Sequence, residues 1–222
     1  MSTSTFGKGL RPGLYAITDS TLLPEDALLP AVEAALQGGA VLVQYREKRL
    51  PRTDRLRQAT ALNERCRAFQ VPLIINDDPK LARACGAAGV HLGQEDGSVA
   101  DARRLLGDDV IIGATCHCRL DLAERARDEG ADYLAFGRFY PSSTKPGASP
   151  ASPDILRQAA SLGLPRTAIG GVTVDNGEPL IRAGADLLAV VGGLFGGTPE
   201  QVEERARAFT RLFADHHPFF NL

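Results

Sequence analysis

The sequence lacks the features that mark membrane, secreted and nucleic-acid-binding proteins. Its 222 residues contain no apolar run near the ~20 residues that a membrane-spanning helix needs, and no apolar stretch of secretory type follows the first residues. The 25 basic and 27 acidic residues are dispersed and leave a net charge of −2. We therefore expect a cytoplasmic protein with no nucleic-acid or membrane partner, and a homo-oligomer remains open.

The chain also lacks the cysteine patterns of disulfide and zinc proteins. Cys66, Cys85, Cys116 and Cys118 show no spacing typical of a disulfide framework, so we expect reduced thiols. The triplet at 116–118 adds His117 between two cysteines, but the CxxC spacing of structural zinc sites is absent and no second compact Cys/His pair accompanies it. The triplet therefore does not predict a zinc site.

Length and composition favour one domain. A chain of 222 residues can bury a substantial core, and residues 13–214 contain all of its periodic apolar segments. We expect residues 1–12, which are rich in Ser, Thr and Gly, to be a disordered N-terminal segment, and residues 215–222 to be a C-terminal tail. His216 and His217 lie in that tail, where we expect them to face solvent.

Short apolar runs alternate with longer amphipathic segments along the whole domain. The runs are continuously apolar, which is typical of parallel strands buried on both faces, and several of the helical segments end at a glycine. Eight βα units predict the α/β class and a single-domain (β/α)8 TIM barrel, with a doubly wound open sheet as the alternative. The predicted strands are 14–17, 41–43, 73–75, 90–92, 110–112, 133–136, 167–169 and 187–191, and the predicted helices are 24–37, 52–69, 79–87, 99–106, 120–129, 153–162, 174–183 and 199–213.

Polar clusters follow these strands, at the end of the barrel where chemistry is expected. Cations and carboxylates lie at residues 44–48, 76–78 and 93–96, while residues 137–145 combine a glycine, hydroxyl side chains and a lysine suited to a polyanion. After strands seven and eight, glycines offer bare backbone amides for a phosphate, although tight-turn glycines would look the same.

Six ordered motifs resemble those of the thiamine-phosphate synthase family, also called thiamine-phosphate pyrophosphorylase, over nearly the whole barrel. The resemblance implies a transferase of thiamine biosynthesis that joins 4-amino-5-hydroxymethyl-2-methylpyrimidine diphosphate to a thiazole phosphate, requires Mg²⁺, and releases diphosphate and thiamine phosphate. The motifs are Val43-Gln44-Tyr45-Arg46-Glu47-Lys48, Ile75-Asn76-Asp77-Asp78, His91-Leu92-Gly93-Gln94-Glu95-Asp96, Gly113-Ala114-Thr115-Cys116-His117, Pro141-Ser142-Ser143-Thr144-Lys145 and Ala168-Ile169-Gly170-Gly171.

The resemblance also implies a role for each position. It makes Asp77 and Asp96 the Mg²⁺ ligands, and it makes Arg46, Lys48 and Lys145 the catalytic cations on the departing diphosphate. The implied substrate contacts are Gln44, Arg46, Lys48, Asn76, Thr115 and Lys145 for the pyrimidine diphosphate, and Ser142, Ser143, Thr144, Gly171, Val191 and Gly192 for the thiazole phosphate. Tyr45 and Glu47 of the first motif are also implied to bind substrate.

The sequence departs from the commonest family pattern in three places. Arg138 stands where proline often follows the glycine, Ser142 stands where threonine is usual, and Gly192 stands where serine is frequent. Ser142 keeps the hydroxyl, whereas Gly192 keeps the backbone amide and loses a side-chain donor. These changes bear on phosphate affinity rather than on the type of reaction.

A diphosphate leaves carbon readily only when its growing negative charge is neutralised. A divalent ion and cationic side chains can neutralise that charge. Two carboxylates could instead perform acid/base catalysis, but the neighbouring cations favour Mg²⁺. We expect a dissociative substitution in which the thiazole nitrogen captures the pyrimidine cation, with His91 and His117 shaping the interior rather than transferring protons. The alternatives are a thiazole tautomerase of the same superfamily and a noncatalytic binder of thiamine intermediates.

Overall fold

A computed structural model describes residues 6–141 and 150–220, and in it eight parallel strands close into a barrel. The strands pair in sequence order and β8 pairs with β1, which confirms the (β/α)8 prediction over the open sheet. The strands are β1 (Gly13–Ile17), β2 (Leu42–Tyr45), β3 (Leu73–Asn76), β4 (Gly89–Leu92), β5 (Ile111–His117), β6 (Tyr133–Gly137), β7 (Arg166–Ile169) and β8 (Leu187–Val190).

A helix follows each strand on the outside of the barrel. In the described part of the chain, none of these helices combines the length and the apolar character that a membrane crossing requires. The helices are α1 (Glu25–Gln37), α2 (Arg52–Ala68), α3 (Pro79–Cys85), α4 (Val99–Leu106), α5 (Leu120–Asp128), α6 (Asp154–Gln158), α7 (Val174–Arg182) and α8 (Pro199–His216).

Side-chain alternation along the strands divides the core into two layers. On β2, Leu42 belongs to the cluster that fills the barrel interior, whereas Val43 and Tyr45 pack in the layer between strands and helices. The interior cluster includes two aromatic residues, Tyr15 and Tyr133, which are almost completely buried. The strands look continuously apolar because both of their faces are covered, yet the two faces meet different surroundings.

Three predicted boundaries differ from the structure by three residues or more. Strand β5 begins near the expected residue but continues to His117, and its pairing with β6 shifts register between Thr115 and His117. The predicted helix 153–162 is a short α6 followed by a 3-10 turn at Ala159–Leu162, which ends at Gly163 in the left-handed conformation. Helix α8 extends to His216 because it continues to pack against the barrel.

Both chain ends pack more closely than the sequence indicates. Leu10 is buried with the interior cluster, and Lys8 Nζ lies 2.8 Å from Asp132 Oδ1, so these two residues contact the barrel. The expectation that His217 faces solvent is wrong, since its side chain is buried and Nε2 lies 3.2 Å from Asp186 Oδ1. The physical reason is that buried Asp186 needs partners, and Arg166 and His217 together provide them.

Helix α3 begins at a carboxylate that caps it. Asp78 Oδ1 accepts a hydrogen bond from the Leu81 amide at 2.9 Å, and Asp78 Oδ2 lies 3.4 Å from Arg55 Nη1. At the helix end, Gly86 adopts the left-handed conformation with φ of 66°. Asp78 therefore stabilises the helix that follows β3 and is occupied by that role.

We expect Asp78→Ala to lower the free energy of unfolding by about 1 kcal/mol, because the helix loses its N-terminal cap. Urea denaturation followed by circular dichroism measures this as a lower midpoint at constant slope. The matched control is Asp109→Ala, an exposed turn residue before β5, which should leave the unfolding free energy within about 0.5 kcal/mol. Equal stabilities for Asp78→Ala and the unaltered protein would contradict the capping role.

Candidate active site

The loop after β2 holds a cation at the carboxyl end of the barrel. Arg46 donates its backbone amide to Thr18 Oγ1 at 3.0 Å, and its Nη1 lies 3.2 Å from Asp19 Oδ2. Thr18 is buried and Asp19 is mostly buried, so they fix Arg46 from the neighbouring strand end. Thr18 and Asp19 were absent from the sequence prediction, although their position directly after β1 could have indicated them.

A second cation pairs with the carboxylate after β3. Lys48 Nζ lies 2.8 Å from Asp77 Oδ2, and Asn76 Nδ2 donates to the same oxygen at 2.5 Å. The Asp77 amide donates to the His91 carbonyl at 2.8 Å, which fixes Asp77 to β4. Its φ of 62° lies in the left-handed region, a conformation that aspartate tolerates better than most residues. The structure thus brings Asn76, Asp77 and Lys48 together.

Asp96 reaches the same place from the loop after β4. Its Oδ2 accepts from the Gly93 amide at 3.1 Å, and a side chain at Gly93 would collide with that oxygen. The pKa of Asp96 is raised, first by partial desolvation and then by the adjacent Asp77 carboxyl, while Lys48 acts in the opposite direction. Two carboxylates held this close repel one another, and a cation between them would relieve the repulsion.

The donor set fits a magnesium ion that retains water and phosphate ligands. Asp77 and Asp96 offer hard carboxylate oxygens, and magnesium commonly takes only one or two carboxylates beside phosphates. Among residues 6–141 and 150–220, no group of three or more His, Cys, Asp or Glu side chains could enclose a metal by itself. Two carboxylates alone would leave most coordination positions of such an ion to water and phosphate oxygens.

Below the rim, Gln44 and Thr115 are connected through the barrel interior. Gln44 Nε2 donates to the Tyr15 hydroxyl at 2.5 Å, and this hydroxyl lies 2.8 Å from that of Tyr133. His91 bridges onward, with Nδ1 2.9 Å from the Tyr133 hydroxyl and Nε2 2.9 Å from Thr115 Oγ1. The sequence indicated Gln44 and Thr115, but it did not indicate the two tyrosines between them.

Two residues of the predicted substrate set turn their side chains elsewhere. Tyr45 lies on the outer face of β2, where its hydroxyl donates to Gln58 of α2 at 2.7 Å, and burial raises its pKa. The Glu47 carboxylate accepts the amides of Arg49 at 2.5 Å and Leu50 at 3.2 Å. Burial would raise the pKa of Glu47, but hydrogen bonds from the Arg49 amide, the Ser20 side chain and the Leu50 amide, with the charge of Arg49, outweigh it and the pKa is lowered. Both side chains shape the loop after β2.

The loop after β7 comes very close to the loop after β6. Gly171 has a φ of 65°, and a Cβ there would lie 2.4 Å from the Pro141 carbonyl oxygen. The side chain of Asn176 fixes this turn, since its Nδ2 donates to Gly171 O at 2.9 Å and its Oδ1 accepts the Thr173 amide at 2.8 Å. Only glycine fits at position 171, in the loop that leads to the N-terminus of α7 at Val174.

The loop after β8 is more open. Val191 is partly exposed and Gly192 is exposed, and an added Cβ at Gly192 would meet only Leu22 Cδ1, at 3.9 Å. Gly193, by contrast, lies against Val172 O, which a Cβ would approach to 2.5 Å. The two adjacent glycines therefore differ, since position 192 has room for a side chain and position 193 has none. The remaining predicted contacts, Ser142, Ser143, Thr144 and Lys145, lie outside the described residues.

The Cys-His-Cys triplet does not converge on a common point. Cys116 is buried, and burial raises its pKa to about 12, while His117 and Cys118 are exposed after the register shift of β5. A thiol with such a pKa stays protonated and is a poor metal ligand. The four cysteines are free.

Comparisons with known proteins identify the family of this chain. The model of the thiamine monophosphate synthase family matches residues 14–194. The thiamine-phosphate synthase of Marinobacter nauticus is 67% identical over 213 residues, which cover 96% of each chain. The solved structure of thiamine phosphate pyrophosphorylase from Pyrococcus furiosus is 31% identical with a TM-score of 0.82, over 91% of this chain and 96% of that one.

A more distant structure shares the fold alone. The 3-keto-L-gulonate-6-phosphate decarboxylase of Vibrio cholerae superposes with a TM-score of 0.71 at 14% identity, over 94% of this chain and the whole of the other. The family model and the 67% identical relative, in contrast, match this chain in sequence over most of its length. The chain belongs to the thiamine monophosphate synthase family.

Proposed function

We propose that the protein is a transferase that joins 4-amino-5-hydroxymethyl-2-methylpyrimidine diphosphate to 4-methyl-5-(2-phosphoethyl)thiazole, giving thiamine phosphate and diphosphate. The observation that carries this proposal is the meeting of Asp77, Asp96 and Lys48 at one rim of the barrel. Family membership and the name of the 67% identical relative support the same reaction. A carboxylated form of the thiazole remains compatible with it.

Asp77 and Asp96 are the residues that would hold Mg²⁺. When bound, the ion would neutralise charge that develops on the departing diphosphate. The two residues differ in what fixes them, since Asp77 is held by Asn76 and β4, and Asp96 by the Gly93 amide. The Asp78 carboxylate caps the start of α3, so Asp77 is the carboxylate after β3 that would bind the ion.

Arg46 and Lys48 are the described cations proposed to bind the diphosphate. Arg46 can grip two oxygens at once with its planar guanidinium, whereas Lys48 acts as a compact point charge. Arg46 is anchored by Asp19, and the Lys48 side chain is about half exposed, at 57%. An exposed ion pair contributes little to stability, so Lys48 can exchange Asp77 for a phosphate oxygen at low cost.

The proposed chemistry is a dissociative substitution. The C–O bond breaks first and its electron pair leaves with the diphosphate, and the thiazole nitrogen then uses its lone pair to form the new C–N bond. No base is needed, because that nitrogen carries no proton. His91 supports this view, since its two ring nitrogens contact the Tyr133 and Thr115 hydroxyls and serve the interior network.

The two alternative functions use this site less well. A thiazole tautomerase transfers protons and has little use for paired carboxylates beside diphosphate cations. A noncatalytic binder would bind both substrates and release them unaltered. The cytoplasm remains our proposed location, and the free thiols agree with a reducing compartment.

Purified protein given both substrates and Mg²⁺ should form thiamine phosphate and diphosphate in equal amounts, measured by liquid chromatography with mass spectrometry. Asp77→Asn and Asp96→Asn should each raise the Mg²⁺ concentration needed for half-maximal rate and lower the rate at limiting Mg²⁺ by roughly 100-fold, which corresponds to ~3 kcal/mol. If isotope-labelled substrates bind but are recovered unreacted, the protein is a noncatalytic binder and the proposed reaction is wrong.

The matched control for these carboxylates is Asp109→Asn, which also removes one negative charge. Asp109 lies before β5 at the opposite end of the barrel and is exposed. Its variant should keep the Mg²⁺ dependence of the unaltered protein. Full coupling activity of Asp96→Ala at limiting Mg²⁺ would refute the proposed metal role.

The dissociative step predicts sensitivity to the electronics of the pyrimidine. Replacing the 2-methyl group by trifluoromethyl should lower the single-turnover rate by at least about tenfold, which corresponds to ~1.4 kcal/mol, because the cation is destabilised. Rapid-quench measurement at saturating substrate isolates this step from product release. A rate equal to that of the natural substrate would exclude the cationic intermediate.

Gly192→Ser should tighten the binding of the thiazole phosphate. The site is open enough for the side chain, and the hydroxyl would add a donor to the phosphate worth ~1 kcal/mol, or roughly a fivefold lower KM. Gly193→Ser is the control, because its Cβ would collide with Val172 O and should lower stability instead. An unchanged KM in Gly192→Ser would place the phosphate away from this loop.

A further inference from the structure

The hydrogen-bond chain inside the barrel joins two residues of the candidate site that lie on different strands. We propose that Tyr15, Tyr133 and His91 are positioning residues, which form a one-directional chain that orients the Gln44 amide and the Thr115 hydroxyl toward the pyrimidine diphosphate. This inference rests on the proposed function, since it assigns both end groups to that substrate. It adds three interior residues to the site, none of which is an expected contact of either substrate.

The direction of the chain follows from its first bond. Gln44 Nε2 can only donate, and it donates to the Tyr15 hydroxyl at 2.5 Å. The Tyr15 oxygen accepts that bond, and because the side chain is buried away from water, we assign its one hydrogen to the Tyr133 hydroxyl 2.8 Å away. Tyr133 in turn has one hydrogen to give, and His91 Nδ1 lies 2.9 Å from its oxygen. Each tyrosine thus has one hydroxyl hydrogen and one remaining acceptor to which it can donate that hydrogen.

The last steps fix the tautomer of His91. Because Nδ1 accepts from Tyr133, the neutral ring carries its proton on Nε2 and donates to Thr115 Oγ1 at 2.9 Å. Thr115 then has its own hydroxyl hydrogen left to give to a phosphate oxygen. At the other end, the Gln44 amide oxygen is left to accept from the amino group of the pyrimidine. The chain thus presents a donor at one end and an acceptor at the other.

Packing prevents the chain from rearranging. The exposed fraction of Tyr15 is 1% and that of Tyr133 is 0%, so neither hydroxyl can turn to bulk water. Their rings meet edge to face at 5.9 Å, and the His91 ring stacks on Tyr133 at 5.5 Å. A Cβ at Gly113 would lie 2.0 Å from Tyr133 Cζ, so glycine is needed there. A buried hydroxyl without its partner is costly, which holds each bond in place.

Two variants that remove one hydroxyl each test the chain. Tyr133→Phe interrupts it in the middle, and kcat/KM for the pyrimidine diphosphate should fall by about tenfold to a hundredfold while KM for the thiazole phosphate stays constant. Tyr15→Phe frees only the Gln44 end, so it should give a smaller fall in the same constant. Unchanged kcat/KM in both variants, or an equal loss for both substrates, would overturn the positioning role.

The His91 tautomer gives a second measurement that needs no substrate. Nitrogen-15 NMR of histidine-labelled protein, with the His91 signals identified by their loss in His91→Gln, should show the Nε2–H form in the unaltered protein and in Tyr15→Phe. Tyr133→Phe should give a mixture of tautomers, because Nδ1 has lost its donor. An Nδ1–H form in the unaltered protein would mean that the chain runs the other way and would refute the inference.

Thr210→Val is the control for a partly buried hydroxyl with a purely structural role. Thr210 Oγ1 donates to Gly38 O at 2.8 Å, between α8 and α1 on the outside of the barrel. Its loss should lower the melting temperature and leave all kinetic constants and the His91 tautomer unchanged. If Tyr133→Phe folds poorly, Tyr15→Phe and the NMR result on the unaltered protein still decide the matter.

The two proposals fail in different ways. Unaltered protein that shows the Nε2–H tautomer but forms no thiamine phosphate would refute the proposed reaction and, with it, the substrate assigned to the chain. Active protein whose rates do not respond to either tyrosine variant would refute only the positioning role.

Discussion

Closure of the sheet is the constraint on which the site depends. Because β8 pairs with β1, the barrel has no free edge, and the carboxyl ends of all eight strands lie on one rim. Alternation along each strand then separates residues that are neighbours in sequence, so that Gln44 enters the interior while Tyr45 packs against α2. This geometry places the charged residues on the rim and the hydrogen-bond chain below them, in the barrel interior.

The rim concentrates opposite charges without neutralising them fully. Asp77 and Asp96 lie close enough to raise the pKa of Asp96, and Lys48 offsets only part of the repulsion. A site of this kind is stabilised by any ligand that brings a divalent cation together with a polyanion, because each component relieves the repulsion that the other leaves. The arrangement thus favours such a pair of ligands, while Lys48 itself stays about half exposed.

Much of this could be predicted from the sequence, because apolar runs and polar strand ends repeat eight times and the motifs are ordered. The barrel, the family and the carboxylates after β3 and β4 follow from those signals. What the sequence could not show is which face each residue takes, since runs that are buried on both sides carry no polar alternation. From the sequence, Tyr45 is therefore predicted to contact substrate and Tyr133 to be an ordinary strand residue, whereas Tyr45 packs against α2 and Tyr133 enters the interior. His217 was missed because its partner, Asp186, is distant in sequence.

The interior chain contributes orientation and adds no charge. Burial raises the pKa of Tyr15 and of Tyr133, so both phenols remain protonated donors at neutral pH. A reaction that began by proton transfer would need a group here that changes its charge. A reaction that begins by separating a cation from diphosphate needs something else, namely fixed dipoles beneath the pyrimidine and mobile positive charge at the rim. The division between a neutral, rigid interior and a charged, exposed rim suits the second kind of chemistry.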